Sequence, residues 1–302
     1  MPRRIVIIGA HAAGVDAASA ARKTDRTAEI TLITEEKHVG YSRCGLPFVI
    51  GGQIPSFESL IVFPPGFFQM MKLKLKSETK VTAINTQSKT VDTVDKDGKP
   101  ETIAYDSLII TTGAGSFMPP IKGREKQGIH SLRTFEDGQR IDEAIRKGAK
   151  TAVVMGAGLI GLESAIAFQE RGLKVTVVEL LPQVLPQALD AEMAKMLQEM
   201  LEQKGIRMLT SKGVEEFLGT DKVTGIMAGG EQIDADLFLS AFGVRANTKL
   251  AADSGIALGE TRGIRTNARM ETNIKDVYAA GDCAETVHIV TQRPCMPQLG
   301  TV

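Results

Sequence analysis

Cysteine is scarce in this chain of 302 residues, with Cys44, Cys283 and Cys295 lying far apart. An odd number at such spacing suits neither a disulfide framework nor a CxxC metal site, so no structural zinc is expected. An excess of one charge is also missing: Lys plus Arg and Asp plus Glu each total 36, and no long run of one sign occurs. That balance argues against nucleic acid or an anionic membrane as the main partner and leaves a small ligand as the expectation. Long apolar runs are lacking as well. The first strand begins after only Pro2, Arg3 and Arg4 and is interrupted by Gly9, well short of a signal segment or a membrane span. A cytoplasmic location is the expectation. What is present is a 43% hydrophobic composition and 30 glycines, enough for two domains with their own cores.

Ile5 to Ile8 is an all-apolar run, as a strand buried on both faces requires, and it stops at GAHAAG, Gly9 to Gly14. Ala12 to Arg22 reads as a small-residue helix and Glu29 to Ile33 as a second strand. A loop that opens a helix in this way points free N–H groups and the positive end of the helix dipole at a diphosphate. Gly9, Ala10, Ala12, Ala13 and Gly14 keep that approach clear, whereas His11 stands at the middle position usually held by glycine and reads as a tolerated substitution. The acid for a first ribose is displaced by one place: Thr34 stands where the strand ends, and Glu35 is preferred, with Thr34 as the alternative.

Next comes YSRCGLP, Tyr41 to Pro47, a polar turn around one cysteine. Ser56 to Phe68 reads as a loop packed by its own aromatics, and Met71 to Lys76 as a half-exposed segment with Lys72, Lys74 and Lys76 on its wet side. Strands at Lys80 to Asn85, Thr90 to Val94 and Glu101 to Ala104 predict an antiparallel meander with Asp97-Gly98 as its clearest turn. A buried strand at Leu108 to Thr111 ends in TTGAG. After Pro119 and Pro120, the expected domain crossing, the opening pattern repeats. Thr151 to Met155 is a strand, GAGLIG spans Gly156 to Gly161, a helix runs to about Arg171, and Lys174 to Val178 ends at Glu179. The acid follows the first glycine by about 20 residues, as the dinucleotide fold requires. Two such units imply two dinucleotides.

Asp190 to Lys204 carries Met193, Met196, Leu197, Met200 and Leu201 at helical spacing, read as core. Strands are expected at Arg207 to Leu209, Lys222 to Met227 and Leu237 to Ser240. The chain then turns through AFGVRAN, Ala241 to Asn247. A strand at Val277 to Ala279 delivers Gly281 and Asp282, where an acid after a buried strand is placed to bind a ligand hydroxyl.

The set GAHAAG, YSRCGLP, TTGAG, GAGLIGLE and YAAGD resembles the pyridine nucleotide-disulfide oxidoreductases along nearly the whole chain. It is similar to their single-cysteine branch: coenzyme A-disulfide reductases, persulfide and polysulfide reductases, and NADH oxidases and peroxidases. The resemblance implies an α/β, glutathione-reductase-like fold of two interleaved Rossmann-like domains, with residues 1–118 and 247–302 for FAD and 119–246 for NAD(P)H. It assigns Gly9, Ala10, His11, Ala12, Ala13, Gly14, Thr34, Glu35, Arg43, Val81, Thr112, Gly113, Gly281 and Asp282 to FAD. Gly156, Gly158, Leu159, Ile160, Gly161, Glu163, Glu179 and Gly243 go to the nicotinamide cofactor. Leu159 fills a place where relatives often carry an aromatic. The charge of Glu179 near the ribose would oppose a 2′-phosphate, so NADH is preferred, with NADPH as the alternative.

The implied chemistry centres on Cys44. Electrons pass from NADH through the flavin to its sulfur, reducing coenzyme A disulfide, a persulfide or a polysulfide. The alternatives are an oxidase or peroxidase cycling Cys44 through sulfenic acid, or an electron-transfer module of a larger complex. A free thiol with a pKa near 8.5 is only about 3% thiolate at pH 7, so a helix opened by Gly45 to Ile50 and the charge of Arg43 are candidates to favour the anion; Arg43 pointing to solvent or FAD is the alternative. Arg22 and Lys23 are candidates for a substrate phosphate. The resemblance implies a following dimerisation domain; the sequence given stops at QLGTV, Gln298 to Val302, so the expectation is either a fragment or a chain that works without that domain. A homodimer is therefore the expectation for a full-length form, and weak or no disulfide turnover for this chain alone.

Overall fold

A computed structural model describes residues 1–297, so Gln298 to Val302, the end of the expected second FAD-domain segment, lie outside the described residues. In chain order β1 (Arg4–Ile8), α1 (Ala12–Thr24) and β2 (Glu29–Ile33) lead into a 3-10 turn at Arg43–Gly45 and α2 (Leu46–Ile50). A second 3-10 turn (Phe57–Leu60), α3 (Pro65–Met70) and β3 (Leu73–Lys76) precede the meander β4 (Thr79–Asn85), β5 (Thr90–Asp95) and β6 (Pro100–Ala104). Then come β7 (Ser107–Ile110), β8 (Ala114–Ser116), β9 (Ile129–His130), α4 (Phe135–Arg146), β10 (Thr151–Met155), α5 (Leu159–Glu170) and β11 (Lys174–Val178). The remainder is α6 (Ala191–Gln203), β12 (Arg207–Leu209), β13 (Val214–Leu218), β14 (Gly225–Ala228), β15 (Glu231–Asp234), β16 (Leu237–Ser240) and β17 (Val244–Ala246). It closes with α7 (Lys249–Asp253), β18 (Ile264–Arg265), β19 (Val277–Ala279), β20 (Ala284–Val287) and β21 (Pro294–Cys295).

The chain forms two compact units. The first comprises Met1–Tyr41, Ile61–Gly115 and the segment from Arg245 onward, the second Ser42–Leu60 and Ser116–Val244. The crossings within β8 and β17 lie within a few residues of the expected boundaries at 118 and 247. The segment Ser42–Leu60, placed inside residues 1–118 on sequence, packs with the second unit.

In the first unit five parallel strands run in the order β19-β7-β1-β2-β3. β1 has neighbours on both sides and cores on both faces, which explains its unbroken apolar run. Val6 and Ile8 point into a cluster with Val81, Ile84, Val91, Leu108 and Ile110, while Ile7 joins Val15, Ala18, Ile30 and Leu32 on the other face. The registers Ile8↔Ile33, Ile8↔Ile110 and Ala279↔Ile110 bring the strand ends level, so the loops after β1, β7 and β19 open along one edge. The meander forms as expected, β4-β5-β6 antiparallel, with a bulge between Val81 and Ala83.

The second unit repeats the plan in the parallel order β12-β11-β10-β16-β9. Two expectations fail here. Met193, Met196 and Met200 are 49%, 53% and 58% exposed rather than core, because α6 lies against the edge strand and buries only Ala194 and Leu201. The strand expected at Lys222 to Met227 begins only at Gly225, and it is the centre of a three-stranded sheet whose partners β13 and β15 were not anticipated. Gly229 and Gly230, both at positive φ, make the β14-β15 turn.

The glycines divide sharply in what they tolerate. A Cβ on Gly161 would press into the carbonyl oxygen of Gly156, whereas one on Gly158 would meet nothing within 4 Å. Gly161→Ala is therefore expected to cost about 1–3 kcal/mol of stability through overpacking, and Gly158→Ala to leave the unfolding midpoint nearly unchanged, as read by thermal denaturation of the two variants beside the parent.

Candidate functional site

The first-unit loop is shaped by what it must exclude. Gly9 lies at φ +116°, its N–H donates to the Ile33 carbonyl at 2.8 Å, and a Cβ there would strike Thr111. A Cβ on Gly14 would strike the Gly9 carbonyl. The strand end and the first turn of α1 thus touch backbone to backbone, with Ala10 fully buried between them. Ala12 and Ala13 open the helix after His11, whose side chain makes no capping bond, so the first-turn N–H groups have no side-chain cap. Gly281, at φ +76°, lies so near that its Cβ would come within 2.9 Å of the Ala13 Cβ, which brings the following Asp282 to the start of α1. The Thr112 hydroxyl donates to the Asn247 carbonyl (2.7 Å), and the Asn247 amide nitrogen donates to the Thr112 carbonyl (3.0 Å), fixing the turn in which Gly113 takes φ +63°.

Thr34 is buried and continues the ladder through its N–H to the Lys76 carbonyl at 2.9 Å, while Glu35 is exposed with Lys80 3.9 Å away. The next acid, Glu36, is better engaged: Oε2 accepts from the Tyr41 hydroxyl at 3.0 Å and lies 3.0 Å from His11 Nε2. Val81 is buried on β4 in the same unit.

The second loop has the same backbone. Gly156 lies at φ +113° and donates to the Val178 carbonyl at 2.8 Å; a Cβ there would strike the Ala241 carbonyl. Here the middle position is Gly158, facing open space, and Leu159, half exposed, opens α5 followed by Ile160 and the buried Gly161. Glu179 occupies the position equivalent to Thr34. Its carboxylate accepts from Ala157 N (2.7 Å) and Leu181 N (2.8 Å), which fastens the acid to the loop it serves. Burial raises the pKa of Glu163 on α5. Gly243 lies at φ +100° in the turn after β16, its carbonyl accepting from Phe117 N at 2.9 Å.

Cys44 is exposed and sits in the middle of the 3-10 turn, ahead of α2 rather than at its N-terminus. A five-residue helix brings little dipole to it. The turn is nevertheless firmly seated. A Cβ on Gly45 would strike Leu60, Leu46 and Pro47 are buried, and Gly138 of α4 leaves room for Phe57 and Leu46. Arg171 Nη1, at the end of α5, donates to the Ile50 carbonyl (2.7 Å) and to Asp142 Oδ1 (2.8 Å), closing the C-terminal end of α2. Arg43 donates to the Arg133 carbonyl at 3.2 Å. Arg22 offers nothing to a substrate phosphate: its guanidinium is taken up by the carbonyls of Met71, Asp25, Arg26 and Lys72. Cys283 is fully buried, and burial raises its pKa.

These residues fit two dinucleotides: two loops stripped of side chains where a strand end meets a helix start, each flanked by turns from neighbouring strand ends. Residues 3–297 match the pyridine nucleotide-disulphide oxidoreductase family, and the chain belongs to that FAD- and NAD(P)H-dependent family. It is 40% identical over 300 residues to an NADH oxidase of Methanocaldococcus jannaschii, covering 99% of this chain and 67% of that protein. It is 30% identical to the NAD(P)H coenzyme A polysulfide/persulfide reductase of Pyrococcus horikoshii, covering 97% of this chain and 65% of that protein. Among solved structures, the NAD-dependent persulfide reductase from A. fulgidus superposes with a TM-score of 0.96 at 36% identity, over 99% of this chain and 57% of that one. The chain thus spans about two thirds of the length of these two relatives and 57% of that solved chain. No helix among the described residues is long and apolar enough to cross a membrane.

The cysteines should differ in reactivity. Brief treatment of the folded protein with iodoacetamide, followed by peptide mass mapping, is expected to alkylate Cys44 first and to leave Cys283 unmodified at mildly alkaline pH until the chain is unfolded.

Proposed function

We propose that the chain is an NADH-dependent flavoprotein reductase of coenzyme A disulfide, a persulfide or a polysulfide, with Cys44 as its redox nucleophile. The observation that carries this reading is that Cys44 alone among the described cysteines is exposed, on a turn with no cysteine beside it, so in a disulfide exchange the second sulfur comes from the substrate. The persulfide and polysulfide reductases among its relatives support the same choice.

In this reading the first unit holds FAD through Gly9 to Gly14, Thr34 or Glu35, Thr112, Gly113 and Asp282. The second holds the nicotinamide cofactor through Gly156 to Gly161 and Glu179. Bound FAD supplies the two-electron chemistry that links NADH oxidation to sulfur reduction. Cys44 Sγ attacks one sulfur of the substrate, forms a mixed disulfide and expels the other half as a thiolate. That mixed S–S bond takes up two electrons and breaks, returning Cys44 as a thiolate and releasing the second thiol. Glu179 reads the ribose: two backbone donors already hold its carboxylate, and the oxygens retain lone pairs for ribose hydroxyls while their charge opposes a 2′-phosphate.

A second reading is favoured by the 40% identity to an NADH oxidase. There two electrons from a first NADH take oxygen to peroxide, and the Cys44 thiolate attacks one peroxide oxygen to become a sulfenic acid with hydroxide as the leaving group. Two electrons from a second NADH return it to thiolate with release of water.

Anaerobic stopped flow tests the choice. After reduction by one equivalent of NADH, reoxidation by coenzyme A disulfide or polysulfide is expected, weak for this chain alone, and it should be lost in Cys44→Ser while flavin reduction by NADH persists. Reoxidation by oxygen alone, with a sulfenic acid on Cys44 trapped by dimedone, would instead select the oxidase reading. Glu179→Ala is expected to raise the KM for NADH about tenfold, the equivalent of ~1.4 kcal/mol, and to narrow the preference over NADPH.

A further inference from the structure

We propose that Tyr41 and Glu36 are positioning residues that fasten the root of the Cys44 turn to the first phosphate loop; this rests on the assignment of Cys44 and that loop made above. The root is held twice, once through the backbone and once through side chains. Gly40 donates its N–H to the Ala10 carbonyl at 3.3 Å and accepts from Val62 N (2.8 Å) and Phe63 N (2.9 Å). It does so at φ +63°, where a Cβ would crowd the Phe63 backbone and side chain. Tyr41 bridges to Ile61 in antiparallel fashion, so the excursion that carries Cys44 is pinched shut at its base.

The side-chain link is more specific. Tyr41 is 5% exposed, its hydroxyl donates to Glu36 Oε2 at 3.0 Å, and its ring meets the His11 ring edge-on with centroids 4.9 Å apart. His11 Nε2 lies 3.0 Å from that same Oε2. One carboxylate oxygen therefore accepts from the residue three places before Cys44 and lies beside the residue at the middle of GAHAAG. Packing alone does not call for this, because a phenylalanine at position 41 would fill the same volume. The hydroxyl adds a directional bond to a charged acceptor in a poorly solvated place, the kind of bond that fixes a geometry and is costly to lose. Tyr41 cannot swing without breaking it, and the turn that begins at Ser42 starts from wherever Tyr41 stands.

The test uses the FAD-loaded protein and two readouts. In Tyr41→Phe, hydrogen exchange at the amides of residues 40–45 is expected to quicken while the amides of α1 keep their protection. In rapid mixing, flavin reduction by NADH is expected at the parent rate, and the reduction of coenzyme A disulfide to slow about tenfold in kcat with KM little changed, the scale of one bond to a charged acceptor. Glu36→Ala should do the same and Glu36→Gln should restore most of the protection, which keeps the test available if Tyr41→Phe folds poorly. Parent-like exchange and parent-like disulfide reduction in Tyr41→Phe would overturn the proposal, as would protection lost evenly through the first unit. If Cys44→Ser keeps full disulfide reduction, the functional reading falls instead, and the exchange measurement still decides whether Tyr41 and Glu36 hold the turn.

Discussion

The organising constraint is a backbone-to-backbone contact made twice. Where β1 gives way to α1, and again where β10 gives way to α5, the first glycine of the loop turns at positive φ and its carbonyl meets the last glycine of the loop with no side chain between them. Only glycine satisfies both ends, the first by conformation and the last by lack of volume. The consequence reaches beyond the turn. With the helix start drawn down onto the strand end, its free N–H groups sit at the carboxyl edge of the sheet, where the loops from neighbouring strands also emerge. The central glycine is a separate matter: it is kept in the second loop as Gly158, facing open space, and replaced in the first by His11, which lies beside Glu36 and Tyr41.

The Cys44 segment shows a different use of packing. It leaves the first unit at Tyr41, returns at Ile61, and is seated throughout by residues of the second unit. The turn proposed for sulfur chemistry thus belongs to a segment that rests on α4 and α5. An exposed thiol on a seated turn is accessible without being loose.

The βαβ units were legible because a parallel strand buried on both faces must be apolar throughout, and because the glycine spacing is dictated by sterics rather than by a ligand. β2, β10, β11, β12, β16 and β19 fall at the expected residues, β10 and β16 most directly for that reason. Helical periodicity was a poorer guide on α6, since the spacing of Met193, Met196 and Met200 fits a buried stripe equally well and says nothing of the helix lying at a sheet edge. Gly229-Gly230 announced a hairpin that the reading passed over, and with it went β13 and β15. Arg22 looked available because its carbonyl partners come from Met71 and Lys72, far along the chain. At the site, Thr34 and Glu179 proved equivalent through their shared ladder position, whereas the engagement of Glu36 with His11 and Tyr41 depends on side-chain directions that no spacing reveals.

One helix is employed at both ends. α5 opens at the loop proposed for the nicotinamide cofactor and closes beside Arg171, which holds the last turn of the helix that follows Cys44. Twelve residues of α-helix give a rod of about 18 Å, buried along most of its length and without proline or internal glycine beyond its first turn. Within the second unit one continuous helix thus joins the loop proposed for the nicotinamide cofactor to the cysteine-bearing segment, and its length sets the span between them.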